Sequence, residues 1–205
     1  MSMKVYSRRQ LMMEMRRPYD AEIEYLESSG TQYINLPFGF DKTDEIYFSF
    51  SVKNTQTRDK YMNSPTSWNN NNNRFGMGVH NSLYTFAYGN QATGYTNLLP
   101  SRANDGAIHN WVYKNYICSV TDLNISRDCS SYTFGATTVN LRLFFGYDSN
   151  TSGKIAYYKH IKNGVVVVEL IPVRIGTTGY LYDKVSGKLF GNAGTGNFIL
   201  GPDKH

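Results

Sequence analysis

Three carboxylates lie close together early in the chain, in Glu22-Ile-Glu24-Tyr-Leu-Glu27. Two such groups about 5 Å apart can act as nucleophile and acid/base in retaining glycoside hydrolysis. A regular strand alternates its side chains, so Glu27 falls on the face opposite Glu22 and Glu24 unless a bulge intervenes. The plainer reading is a solvated run on an edge strand, where charge discourages pairing with another chain. A glycoside hydrolase using these three residues is the enzymatic alternative.

Other residues suit binding rather than bond breaking. Asp148-Ser-Asn150-Thr-Ser152-Gly153 sets oxygen-bearing side chains at alternate positions before a glycine, as the start of a calcium loop does. The twelfth position of that loop is Lys159, where a bidentate Glu would be needed. Asp148, Asn150 and Ser152 are therefore candidate calcium ligands if other loops contribute, and an ordinary turn otherwise. The histidines His80, His109, His160 and His205 show no spacing that would make a zinc site. There is no Gly-x-Ser-x-Gly elbow and no phosphate-binding loop. A sugar is held by an aromatic ring against its C–H face and by amide or carboxylate groups on paired hydroxyls. Trp68, Asn69 and Arg74, in a run of five asparagines with Tyr61 nearby, offer those types on a surface loop. The alternative is a hydrophilic loop whose Trp tucks into the edge of the fold. Trp111 shares a strand face with Tyr113 and lines either the core or an open face.

These residues need elements to carry them, and the pattern along the chain is that of strands. Ile46, Phe48, Phe50 and Val52 alternate with Tyr47, Ser49, Ser51 and Lys53, the period-2 signature of a strand with one buried face. Further strands are expected at 32–36, 75–79, 83–88, 110–120, 140–145, 154–161 and 165–173, with turn residues between them. Asn163-Gly164 joins two of them as a two-residue type I′ hairpin, since both residues accept positive φ at little cost. Val185-Ser186-Gly187 reverses the chain between 180–183 and 188–190. Cys118 and Cys129 flank the turn at Thr121-Asp122-Leu123-Asn124, where a hairpin would set the sulfurs opposite each other for a disulfide or leave two reduced, half-buried thiols. No long helix is expected after residue 20, which argues for an all-β class and against an α/β fold.

Composition agrees and bounds the partners. The chain has 205 residues, of which 17 are Tyr and 18 Gly, enough for one antiparallel β-sandwich over residues 20–205. The net charge of +5 sits largely in residues 1–18, where Lys4, Arg8, Arg9, Arg16 and Arg17 face only Glu14. The rest is close to neutral and has no broad field for gathering phosphates, so nucleic acid is not an expected partner. Residues 1–19 read as a basic arm, helical before Pro18 or disordered, suited to docking into a homo-oligomer or a larger assembly. No run reaches the roughly 20 apolar residues of a membrane span. Leu11–Arg16 is too short and too charged for a secretory leader, so the sequons at Asn124 and Asn150 are expected to stay idle.

Two stretches carry a specific resemblance. Glu24-Tyr-Leu-Glu-Ser-Ser-Gly-Thr-Gln-Tyr-Ile34 resembles the opening strand of laminin-G-like, concanavalin A-like modules found in phage and prophage structural proteins and gut-bacterial surface proteins. The closing segments Gly153-Lys-Ile-Ala-Tyr-Tyr, Ile171-Pro-Val-Arg174, Gly179-Tyr-Leu-Tyr-Asp-Lys-Val-Ser-Gly-Lys188 and Gly191-Asn-Ala-Gly-Thr-Gly-Asn-Phe198 are similar to the same modules. The resemblance implies a jelly-roll sandwich used non-catalytically, for attachment to glycan or protein at a particle or cell surface, with no cofactor beyond the calcium ion some such modules hold. Glucanases of that superfamily carry a Glu-x-Asp-x-x-Glu strand deep inside the fold. Here the middle residue is Glu24 and the run lies in the opening strand, which sets it apart from them. A purely structural assembly subunit that binds no sugar is the other alternative.

Overall fold

The computed structural model of the protein describes residues 17–52, 60–63, 73–80, 83–90, 96–102, 106–135, 137, 139–145 and 151–205. Their structure is all-β, and every strand pairing is antiparallel. In chain order the strands are β1 (Ala21–Glu22), β2 (Leu26–Ser29), β3 (Ile34–Asn35), β4 (Glu45–Val52), β5 (Lys60–Asn63) and β6 (Phe75–His80). They continue with β7 (Leu83–Tyr88), β8 (Thr96–Arg102), β9 (His109–Lys114), β10 (Ile117–Val120), β11 (Ile125–Asp128) and β12 (Arg142–Leu143). The last five are β13 (Ser152–Lys162), β14 (Val165–Ile175), β15 (Thr178–Asp183), β16 (Leu189–Phe190) and β17 (Ile199–Leu200). One sheet of eleven strands runs β11-β10-β9-β4-β13-β14-β15-β16, with β1, β2 and β17 alongside. The other has six, in the order β3-β12-β5-β6-β7-β8.

The alternation of β4 buries Ile46, Phe48 and Phe50 and leaves Tyr47 and Ser49 half-exposed, as its sequence predicts. Trp111 and Tyr113 of β9 lie opposite Phe48 and Ile46 and extend this apolar face. The two sheets stack through aromatic contacts, with Tyr84 of β7 at 5.6 Å from Trp111 and Phe75 of β6 at 5.8 Å from Tyr113. Phe40, on the connection into β4, stacks on Phe75 at 3.5 Å and meets Tyr113 edge to face at 5.0 Å. Rings that bury this much apolar surface in offset and edge-on pairs carry a large share of the core energy of a β-sandwich.

Several expected elements differ in detail. Residues 110–120 are two strands rather than one, because Asn115 (φ 51) and Tyr116 (φ 65) form a tight reversal between β9 and β10. The expected strands at 32–36 and 140–145 shorten to the two-residue β3 and β12, which pair with each other. The edge-strand reading of the early carboxylates is corrected at Glu27, since β2 is paired on both sides, by β13 and by β17. The hairpin at Asn163-Gly164 forms as expected, with φ values of 51 and 75.

One irregularity in β13 decides where the site lies. Ile155 pairs with Phe50 and Tyr157 with Ser49, so Ala156 has no partner on β4 and forms a bulge. One extra residue inverts the alternation that follows it. Ile155 faces the core before the bulge, and after it Tyr158 and His160 face inward while Tyr157 and Lys159 face out.

Candidate functional site

A cavity of about 390 Å³ opens where the 38–44 connection meets the end of β13. It is lined by Phe38, Gly39, Phe40, Asp41, Thr43, Asp44, Thr137, Lys162 and Asn163. Residues 41–44 form its rim as a closed turn, in which the Asp44 N–H donates to the Asp41 carbonyl at 3.0 Å. The Asp41 N–H returns a bond to Asp44 Oδ2 at 2.8 Å. Aspartates favour such turns because their short carboxylates accept from nearby backbone donors. The turn is held from below, since the Tyr113 hydroxyl donates to the Lys42 carbonyl at 3.0 Å. Burial pushes the Tyr113 phenol well up, and that of its neighbour Tyr88 to about 12, so both serve as neutral hydrogen-bonding groups.

Beneath the cavity runs a chain of polar groups along one face of β13. Asp44 is 2% exposed and lies 2.8 Å from His160 Nε2 and 2.6 Å from Lys162 Nζ, both meeting the same Oδ2. Lys162 Nζ also donates to the Gly39 carbonyl at 3.4 Å. On the far side of the imidazole, Nδ1 lies 3.4 Å from the buried Tyr158 hydroxyl. The edge of Phe38 closes over the imidazole at 6.0 Å.

The protonation states follow from this geometry. Burial alone would raise the Asp44 carboxyl, but bonds from His160, Lys162 and the Asp41 amide outweigh it and hold the group below its usual range. Burial likewise lowers the His160 imidazole, and the adjacent Asp44 only partly offsets that. His160 is therefore neutral at pH 7, with Nε2–H donating to Asp44 and Nδ1 accepting from Tyr158. Asp44 and Lys162 form the ion pair. No exposed nucleophile sits in this chain of bonds, so its chemistry is that of a structural tie that shapes the cavity floor.

The groups on the rim keep hydrogen-bonding capacity of their own. Asp41 Oδ1 accepts from Thr43, while its second oxygen and the exposed Asn163 amide make no hydrogen bond among the described residues. Together with the half-buried Phe38 ring they place an acceptor, a donor–acceptor and an apolar face around one opening.

The described residues among the candidate site residues singled out from the sequence do not line this cavity. Trp68, Asn69, Asp148 and Asn150 lie outside the described residues, and of Tyr61 only the backbone position in β5 is described. Arg74 is buried beside β6. Trp111 takes the core alternative, at 1% exposure, and is not on an open face. Ser152 opens β13 opposite Ser29. Among the described residues no group of three or more His, Cys, Asp or Glu side chains is placed to hold a metal. Glu22 lies in β1 within 3.1 Å of the Tyr19 hydroxyl, Glu24 falls in the break between strands, and Glu27 belongs to β2. The three therefore share no single strand. Cys118 pairs with Arg127 in the β10–β11 hairpin, and Cys129 lies past its end opposite Tyr116, so the two buried thiols are free. His109 sits 2.6 Å from Asp122 at the other end of β9. No family model, no curated protein and no solved structure matches this chain.

Proposed function

We propose that this protein is a non-catalytic recognition module of the laminin-G-like, concanavalin A-like kind, binding a glycan through the cavity at the 38–44 rim. The observation that carries the reading is the rim itself: Asp41 and Asn163 present unused carboxylate and amide atoms beside the Phe38 ring, over a floor fixed by Asp44, His160 and Lys162. A sugar needs an acceptor and a donor for neighbouring hydroxyls and an apolar surface for its C–H face, and a preformed site spends little free energy on ordering. The division of Glu22, Glu24 and Glu27 between two strands and a bend supports a binding rather than a hydrolytic role. In this reading the module is displayed on a particle or cell surface, and the basic residues 1–18 dock it to a homo-oligomer or a larger assembly.

The test is a glycan array followed by calorimetry on the best hit. Asp41→Ala and Asn163→Ala should each weaken binding at least about fivefold, because each removes a hydrogen bond to an uncharged or charged partner. Binding that is indifferent to both changes would refute this site. An array without any hit, together with an oligomeric mass that collapses when residues 1–18 are deleted, would favour the purely structural subunit.

A further inference from the structure

On the solvent side of the smaller sheet, β12 sets Arg142 directly opposite Asn35 of β3. Leu141 and Leu143 are buried on either side of it, so strand alternation turns Arg142 outward, half-buried. Its guanidinium carbon lies 4.8 Å from the centre of the Phe145 ring and 5.3 Å from that of Tyr33. Those two rings meet edge to face at 5.9 Å.

A guanidinium against aromatic rings is attracted electrostatically to them and has already lost much of its side-chain freedom. The rings are themselves fixed. The Tyr33 N–H donates to Asn192 Oδ1 at 3.2 Å, and its carbonyl accepts from the Ala193 N–H at 2.8 Å. Gly194 backs onto the Tyr33 ring so closely that a Cβ there would stand 3.1 Å from Cδ1. Yet among the described residues the Arg142 guanidinium makes no hydrogen bond and no ion pair. A partly desolvated cation with five N–H donors in a fixed fork, held in place and given no acceptor among the described residues, is matched to an oxyanion from outside.

We infer that Arg142, with Asn35 and Tyr33 beside it, forms an oxyanion-binding site that takes the carboxylate or sulfate group of an acidic saccharide. The planar fork accepts a carboxylate or two oxygens of a sulfate in bidentate fashion. Its described neighbours Asn35 and Tyr33 are neutral: the exposed Asn35 amide and the Tyr33 hydroxyl have no hydrogen-bond partner among the described residues. One cation ringed by neutral donors and acceptors fits a ligand with one acidic group and several hydroxyls. The inference rests on the glycan reading for the ligand's class, but it uses none of the residues that line the rim cavity.

The Arg142 side-chain Nε–Hε resonance of the isotope-labelled full chain reports the site directly. Glucuronate should shift it with an affinity at least about tenfold greater than that of glucose, as expected of a charge-assisted pair. In variants that lack this reporter the Asn35 side-chain amide resonance replaces it: Arg142→Gln should abolish its response to glucuronate, and Arg142→Lys, which keeps the charge but not the fork, should restore only a minor part. Asp41→Ala should leave the response untouched. Equal titration by glucuronate and glucose, or an unresponsive resonance, would overturn the inference. Tighter binding of sodium sulfate or of a blocked glutamate dipeptide than of glucuronate would overturn its assignment to a saccharide. If neutral sugars never perturb the rim cavity while glucuronate still moves Arg142, the rim reading falls and this one stands. The reverse pattern sinks this one alone.

Discussion

Replacing Asp44 by alanine tests the tie beneath the cavity, because one carboxylate oxygen accepts from the Asp41 N–H, His160 Nε2 and Lys162 Nζ at 2.8, 2.8 and 2.6 Å. The three donors are not equally stranded by its loss. His160 is fully buried, so its Nε2–H would have neither acceptor nor water, at a cost of about 1–3 kcal/mol. The Asp41 N–H loses one of the two bonds that close the 41–44 turn, worth about 1 kcal/mol. The Lys162 side chain is 32% exposed and can swing into solvent, so after screening its share is about 0–1 kcal/mol. Release of the desolvation that buried Asp44 suffers works in the opposite direction and keeps the total near 2–4 kcal/mol. In a domain of this length that is a fall in Tm of about 5–15 °C, read by thermal or urea unfolding. Asp44→Asn retains an oxygen for the His160 donor and should cost about half as much. An Asp44→Ala protein within about 0.5 kcal/mol of wild type would show that this oxygen does not tie the rim to β13.

The same cluster makes stability depend on pH, with the sign set by a histidine that is harder to protonate folded than unfolded. His160 lies below its ordinary 6.5 through burial, so its contribution is complete above that pH and is lost as the pH falls through the window beneath it. Asp44, held below 3.8, adds a separate loss in stronger acid, and a His160→Gln variant should flatten only the first decline in a plot of Tm against pH. Gly39→Ala would drive a Cβ into Thr137 Oγ1 and bring it within 3.0 Å of the Thr137 carbonyl and 3.2 Å of that of Val139. The expected cost is about 1–3 kcal/mol in urea unfolding, and unchanged stability would mean that the cavity wall yields freely. Burial pushes the Cys118 thiol well up and that of Cys129 to about 12, so alkylation in native buffer should proceed only as fast as the chain opens. Rapid labelling of either thiol without unfolding contradicts that placement.

Much of the scaffold can be read locally, and the site cannot, for reasons visible in particular residues. Ile46, Phe48 and Phe50 announce β4 because its buried face is decided by alternation within the strand itself. Asn163-Gly164 announces its hairpin because both residues take positive φ without strain. The reversal at Asn115-Tyr116 goes unseen because no glycine marks it, and its one local trace is that the buried positions change from Trp111 and Tyr113 in β9 to Cys118 and Val120 in β10. His160 is hidden more deeply. Counting alternately from Ile155 puts Tyr157 and Lys159 in the core and His160 in solvent, and only the bulge at Ala156 inverts this. That bulge is fixed by pairing with β4, a contact between distant parts of the chain. His160 also meets its partner Asp44 across 116 residues, so no spacing rule links them.

Arg142 is hidden for a related reason, since Tyr33 reaches it only once β3 and β12 have paired, while Phe145 meets it across the local turn at Phe144, whose φ is 59. Both clusters place a charge at a point where strand pairing, not local pattern, decides the surroundings, but they resolve that charge in opposite ways. Around Asp44 the chain supplies every donor the buried oxygen needs, and the result is a rigid wall. Around Arg142 it supplies rings to hold the cation and, among the described residues, no oxygen to meet it. A half-buried guanidinium that meets no oxygen among the described residues is left partly desolvated, and an arriving oxyanion would offset that cost. In the proposed reading, part of the binding energy at such a point comes from replacing that lost hydration, so a ligand carrying a single acidic group is enough to exploit it.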